Sequence, residues 1–192
     1  MKPSATPVDH QRSGAALAYP AGPAAEPGRA RQDRPADGVL LPVAGALIKA
    51  LTISQPWASL IASGEKWVEN RHWQTGYRGP LAIHAGKGTQ YLTRRELREY
   101  PSGCIVAIAT LRTCVLLEFA NEKHAAGDVP HSMIRDGLGS ADLECLLQHE
   151  YSEGPYCWIL GDIRRLEEPI PCRGAQGLWD WRIPDGLSGG RE

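Results

Sequence analysis

The stretch Ala46-Leu-Ile-Lys-Ala-Leu-Thr-Ile-Ser54-Gln-Pro-Trp-Ala-Ser-Leu-Ile-Ala-Ser63-Gly64 decides the fold. Its first half is β-prone and ends in turn chemistry. Ser54 stands where a helix N-cap would, and Pro56 falls in the first helical turn, where a missing N–H does no harm. Trp57, Leu60 and Ile61 then share one helical face, and Gly64 is a natural C-terminal stop. The reading is a strand that runs directly into a helix of about two turns.

Working outward toward the C-terminus, strands dominate. Residues 66–71 follow the helix stop at once, and residues 79–85 are a compact apolar run ended by glycines. Thr93 and Glu96 have capping-box spacing, which predicts a short helix over 93–99. Pro101-Ser-Gly103 is a turn, and residues 104–116 form a long β-rich run. Residues 117–150 read as short helices and loops with little core. Two further strands are predicted over 156–160 and 164–171, around Gly161-Asp162, and a last one over 177–183. The fold class expected is α+β and β-rich: a small closed or half-closed barrel over residues 46–184 with short flanking helices.

Toward the N-terminus the character changes. Residues 1–45 hold seven of the fifteen prolines, one aromatic residue (Tyr19) and no sustained apolar period. Such a segment does not bury enough surface to offset its ordering entropy, so a disordered Pro/Ala-rich tail is expected. Residues 185–192 read as a second disordered tail.

Composition narrows the function classes. The 192 residues are 42% apolar, with a formal net charge of −1. No run approaches eighteen apolar residues, so no membrane span is expected. The N-terminus has no apolar run behind Lys2, so a signal peptide is not expected either. The five cysteines, at 104, 114, 145, 157 and 172, contain no C-x-x-C pair. A reducing, cytoplasmic setting, no metal, no cofactor and a monomeric state are the expectations. The near-neutral balance excludes a wholesale nucleic-acid coat protein. It also hides an asymmetry: residues 49–99 carry a surplus of four positive charges, and residues 117–168 a surplus of seven negative ones. One basic half can face an anion while the whole stays neutral.

Three patterns carry chemistry. In the first, Ser54-Gln55-Pro56-Trp57, the indole is either core or a stacking platform for a base. In the second, Gly64-x-Lys66-x-x-Glu69-x-Arg71, an extended strand would put Glu69 and Arg71 on one side and Lys66 on the other. That pair is either a solvated salt bridge or a rigid guanidinium fork offered to a phosphate or a base edge, and a twist or bulge in the strand would bring Lys66 to the same anion. The third is Tyr77-Arg78-Gly79-Pro80 through His84 to Lys87. Arg78 before the Gly-Pro turn is expected to be exposed. His84 is either a satisfied core histidine or an acid–base group in a cleft with Lys87. There is no nucleophile elbow, zinc-protease motif or dinucleotide fingerprint.

These patterns, in this order and spacing, resemble the ASCH domain, the homology domain named for activating signal cointegrator 1. The matching residues are Leu51-Thr-Ile-Ser-Gln-Pro-Trp-Ala58, Gly64-x-Lys66-x-x-Glu69-x-Arg71-x-Trp73, Arg78-Gly-x-Leu81-x-Ile83-His84-Ala85 and Tyr100-Pro-Ser-Gly-Cys104, and they end in the segment from Gly174 to Trp181. The resemblance spans roughly residues 46–183. It implies a PUA-like β-barrel, a basic cleft beside the first helix, and binding of RNA or another nucleic acid. The implied ligand-binding set is Gln55, Trp57, Lys66, Glu69 and Arg71; the chain's own pattern adds Arg78 and Lys87. The family's namesake carries a cysteine-rich zinc-binding region that has no counterpart here, so a coactivator role is not implied. Some small bacterial members are amidohydrolases on acetylated cytidine, with a threonine three residues after the lysine. Here Glu69 holds that place. Others resemble metal-independent ribonucleases that use a cleft lysine, which keeps Lys66, Glu69, His84 and Tyr77 as catalytic candidates. The partner expected is RNA, another nucleic acid or a nucleoside.

Overall fold

A computed structural model describes residues 43–187. Residues 1–42 of the expected N-terminal tail and residues 188–192 of the expected C-terminal one lie outside the described residues. The elements are β1 (Leu47–Ile53), α1 (Trp57–Ser63), β2 (Val68–Arg71), β3 (Gly79–Ala85), α2 (Glu96–Glu99), β4 (Cys104–Leu116), α3 (Leu117–Ala125), α4 (His131–Arg135), α5 (Ser140–Gln148), β5 (Tyr156–Pro171) and β6 (Leu178–Arg182). No helix among them is long and apolar enough to cross a membrane.

The strands form one sheet in the order β2-β5-β4-β3-β1-β6. β1 runs parallel to β3, and the other neighbours are antiparallel. The fold is mixed and β-rich with short flanking helices, as expected. The sheet is not closed, because β2 and β6 are edges. Both faces are buried, and the period-two pattern of β1 shows how. Leu51 and Ile53 pack under α1 with Ala58, Ile61, Leu81, Ile83 and Trp158. Ile48 and Ala50 face the other way, toward Ala82, Ile105, Ile108, Trp181 and Ile183.

The strand-to-helix junction forms as read, with one change. Gly64 closes α1 in the left-handed region at φ 83°, and its N–H bonds the Ile61 carbonyl. Ser54 does not cap by its side chain. Gln55 does that work: its Oε1 accepts from the Ser59 N–H at 3.0 Å, while the Ser54 carbonyl accepts from Ala58. A glutamine one residue further on thus serves an N–H of the first turn, which the Pro56 carbonyl also reaches at 3.0 Å.

Two other expectations are corrected. Residues 117–150 are not poor in core: α3, α4 and α5 bury Ala120, Met133, Leu143 and Leu146 against Val68, Val115, Cys157 and Ile159. The two strands around Gly161-Asp162 are one strand, β5, paired along β4 through several register shifts. Asp162 takes φ 48°, and such irregularities bend a long strand without ending it.

Candidate functional site

The C-terminal end of β1 organises two polar regions, one on each face of the sheet. Under α1 lies a buried ion chain. Lys66 Nζ contacts Glu69 Oε2 at 2.7 Å and also donates to the Val68 carbonyl. Glu69 Oε1 lies 3.1 Å from Arg71 Nη2, which donates to the Thr52 carbonyl at 2.9 Å. The Glu69–Arg71 pairing follows from strand alternation. The placement of Lys66 on the opposite side does not hold, because β2 begins only at Val68. Lys66 precedes the strand, its N–H bonds the Leu60 carbonyl, and its side chain folds back on Glu69. Lys66 is 3% exposed and Glu69 6%, so neither is a surface charge. Gln55 is fully buried and donates to the Pro101 carbonyl at 2.7 Å, tying the start of α1 to the turn before β4.

On the other face the same strand end borders an open groove of about 850 Å³. Thr52 and His84 are register partners on β1 and β3, and both line it with Lys87, Gly103, Arg173 and Gly174. A bulge between Ile83 and His84 falls at this point, a frequent device for re-aiming a side chain. His84 Nε2 lies 3.2 Å from the Cys172 carbonyl. A carbonyl only accepts, so Nε2 carries the proton and Nδ1 keeps a bare lone pair. Nδ1 is buried without a hydrogen-bond partner. Gly174 packs over it so closely that a Cβ there would fall 2.6 Å from Nδ1 and 2.4 Å from Cε1. Burial lowers the His84 pKa, the Cys172 carbonyl opposes that shift, and the charge of Lys87 adds to it. Lys87 lies across Gly103, where a Cβ would meet its Cε at 2.5 Å. Thr52 Oγ1 donates to the Ala175 carbonyl at 2.8 Å and receives the Trp179 indole N–H at 3.3 Å. The loop after β5 is thus pinned by His84 and Thr52 together.

The remaining sequence candidates sit elsewhere. Tyr77 donates to the Pro80 carbonyl, and burial raises its pKa. Its hydroxyl thus sits at Pro80, four residues before His84 on β3, a separation of about 13 Å at ordinary strand rise. The two do not meet on one reacting atom. Arg78, expected to be exposed, is instead half-buried. It pairs with Asp136 at 2.9 Å and donates to the carbonyls of Thr75 and Tyr77. Trp57 is half-buried: it packs on the α1 core and also meets the rings of Tyr91 and Tyr151. Burial pushes the thiols of Cys104, Cys114 and Cys172 up, and that of Cys157 to about 11, so none of the four is a thiolate nucleophile at neutral pH. The sequence reading did not place Thr52, Gly103, Arg173 or Gly174 in the site. The turn Pro101-Ser-Gly103 was visible as a turn, but nothing local marks it as the neighbour of Lys87.

Residues 51–170 match the ASCH domain. The chain belongs to the ASCH domain family. Its relatives include activating signal cointegrator 1 of Homo sapiens, 27% identical over 158 residues, and that of Mus musculus, 40% identical over 81 residues. These alignments cover 73% and 34% of this chain but only 24% and 14% of the relatives, so this ASCH protein corresponds to a minor part of each. Among solved structures, the ASCH protein of Zymomonas mobilis and a point mutant of it are each 16% identical. Each match covers 64% of this chain and 72% and 74% of theirs, with a TM-score of 0.36.

Proposed function

We propose that this ASCH domain binds nucleic acid, RNA foremost, with phosphates held in the groove by Lys87 and Arg173. One observation carries the reading. Two cations with no ion-pair partner among the described residues border a groove of about 850 Å³, within the size range of small-ligand sites. Backbone-directed cations of this kind supply affinity, and the neighbouring polar groups supply orientation. Arg71 supports the reading from the other face. Glu69 and the Thr52 carbonyl hold its guanidinium, and the side chain keeps about a quarter of its surface open. Gln55, Lys66 and Glu69 act as positioning residues in this proposal. Arg78 belongs to the scaffold, since its donors serve Asp136, Thr75 and Tyr77.

The test is incubation of the full chain with labelled single-stranded RNA, reading retention and length together. Retained, intact RNA is the expected result. Shortened RNA would make the protein a ribonuclease, and acetate released from acetylated cytidine would make it an amidohydrolase. Absence of both retention and any product would overturn the nucleic-acid reading.

A further inference from the structure

A row of five rings beside α1 has no part in the groove. Tyr91, Trp57, Tyr151, His149 and Trp67 follow one another with centroid separations of 6.4, 5.7, 5.5 and 4.5 Å. They come from four separate segments, so the row is a product of the fold. Tyr91 is 57% exposed, and the other four are half-buried. The interplanar angles run from 52° to 86°, so edges meet faces and no ring is sandwiched flat against its neighbour in the row. The row and the groove share one loop. Gly86 and Lys87, at its start, line the groove, and Tyr91 stands midway along it between β3 and α2.

Charge is graded along the row. Lys87, Arg94 and Arg98 flank the Tyr91 end in sequence, and none has an ion-pair partner among the described residues. Glu65 and Glu150 flank the Trp67 and His149 end. Phosphates are favoured at the first end only, and the rings offer apolar faces and polar edges beyond it.

We infer that this row takes the unpaired bases of a single-stranded nucleic acid, whose backbone enters from the Lys87 groove. The inference rests on the nucleic-acid reading above and adds strandedness to it. Every base has a π-face that an aromatic side chain can stack on, whereas a duplex keeps those faces inside its own stack. The exposed phenol of Tyr91 is the first face that an incoming strand meets.

The experiment uses the full chain, a short fluorescent oligouridylate, and a blunt RNA duplex of the same length. Anisotropy titrations are run on the unchanged protein, Tyr91→Ala, Tyr91→Phe and Lys87→Ala, each checked for an unchanged thermal midpoint. The single strand is expected to bind at least about tenfold tighter than the duplex. Tyr91→Ala should weaken it about tenfold or more, the scale of one lost base–aromatic stack, and Tyr91→Phe should restore binding. Tyr91→Ala should leave the salt dependence unchanged, while Lys87→Ala should flatten it. If Lys87→Ala weakens binding but Tyr91→Ala does not, the groove reading stands and the ring row is not a base platform. Equal binding of strand and duplex overturns the inference in the same way. Absence of binding by either RNA overturns both readings.

Discussion

Lys66 changes meaning between the sequence and the structure. Its spacing to Glu69 and Arg71 suggests a row of ligand-facing charges, and half of that was legible, because strand alternation does place Glu69 and Arg71 together. The other half was not, since where a strand begins after a glycine stop is a matter of two residues, and those two move Lys66 off the strand. Truncating one partner of a buried pair leaves the other charge uncompensated, at a cost of about 3–5 kcal/mol. Lys66→Ala is therefore expected to lower the thermal midpoint strongly, read by circular dichroism, whereas Arg71→Ala, on a more open side chain, should lower it less and weaken RNA binding more. His84 gives a pH prediction of definite sign. Its pKa in the fold lies below the ordinary value, chiefly through burial. As pH falls through about 6.5, the unfolded chain takes up this proton before the folded one does. The contribution is complete above that pH and is lost as pH drops toward the folded value. Burial, with the charge of Lys66, lowers His149 in the same direction. The midpoint should fall between about pH 7.5 and pH 5, and His84→Asn should reduce that slope without abolishing it. A slope unchanged by the substitution would assign the titration elsewhere.

At the scale of elements, the loop between β5 and β6 is the part that the sequence hid. Its residues are small, polar or glycine, and their pattern says only that the chain turns. Its placement depends on two contacts from distant strands, His84 to the Cys172 carbonyl and Thr52 to the Ala175 carbonyl. The three helices of residues 117–148 were hidden for a different reason. Each is too short to show a clear period, so their shared core emerges only once they pack on β2, β4 and β5. The long runs of β1, β3 and β4 were legible because alternation or continuous apolarity sustained the signal. Two glycines test the loop's role. A Cβ at Gly174 would strike His84 and Thr52 Oγ1, both fixed on strands, so the loop itself must move. A Cβ at Gly161 would strike Arg112 at Nε and Cδ, but that side chain is a third exposed and held by its pair with Asp162 at 3.3 Å, so it yields more readily than a strand does. Gly174→Ala is expected to destabilise by about 1–3 kcal/mol, as overpacking does, and to weaken RNA binding by distorting the groove. Gly161→Ala should cost clearly less and leave binding unchanged. Chemical denaturation and a binding isotherm on both variants check the contrast.

For the whole molecule, the decisive contact is between its two described ends. β6 pairs with β1 at the sheet edge, Gly45 N–H bonds the Ile183 carbonyl, and Ile183 N–H bonds the Ala46 carbonyl. The last strand therefore holds the first, and the two tryptophans of β6 divide the work. Sequence alternation puts both rings on one side, with Asp180 opposite, and the structure adds depth to that reading. Trp181 is 6% exposed and packs among Ile48, Ala50, Ala82 and Ile105. Trp179 is half-buried, meets the His84 ring edge to face at 5.7 Å, and donates to Thr52. A buried tryptophan cut to alanine typically costs about 3–5 kcal/mol, a large share of the roughly 5–15 kcal/mol that holds a domain together. Trp181→Ala should therefore unfold readily or express poorly, because it removes core from the edge where β6 holds β1. Trp179→Ala should remain folded with a smaller loss, and its RNA affinity should drop, since Thr52 and His84 lose the ring that seats them beside the groove. Asp180, paired with Lys49 at an exposed site, should tolerate alanine with little change, as surface pairs do. A denaturation curve and a binding isotherm on the same sample separate these outcomes. A Trp179→Ala protein as unstable as Trp181→Ala, or a stable one that binds RNA unimpaired, would remove the ring from the support of the site.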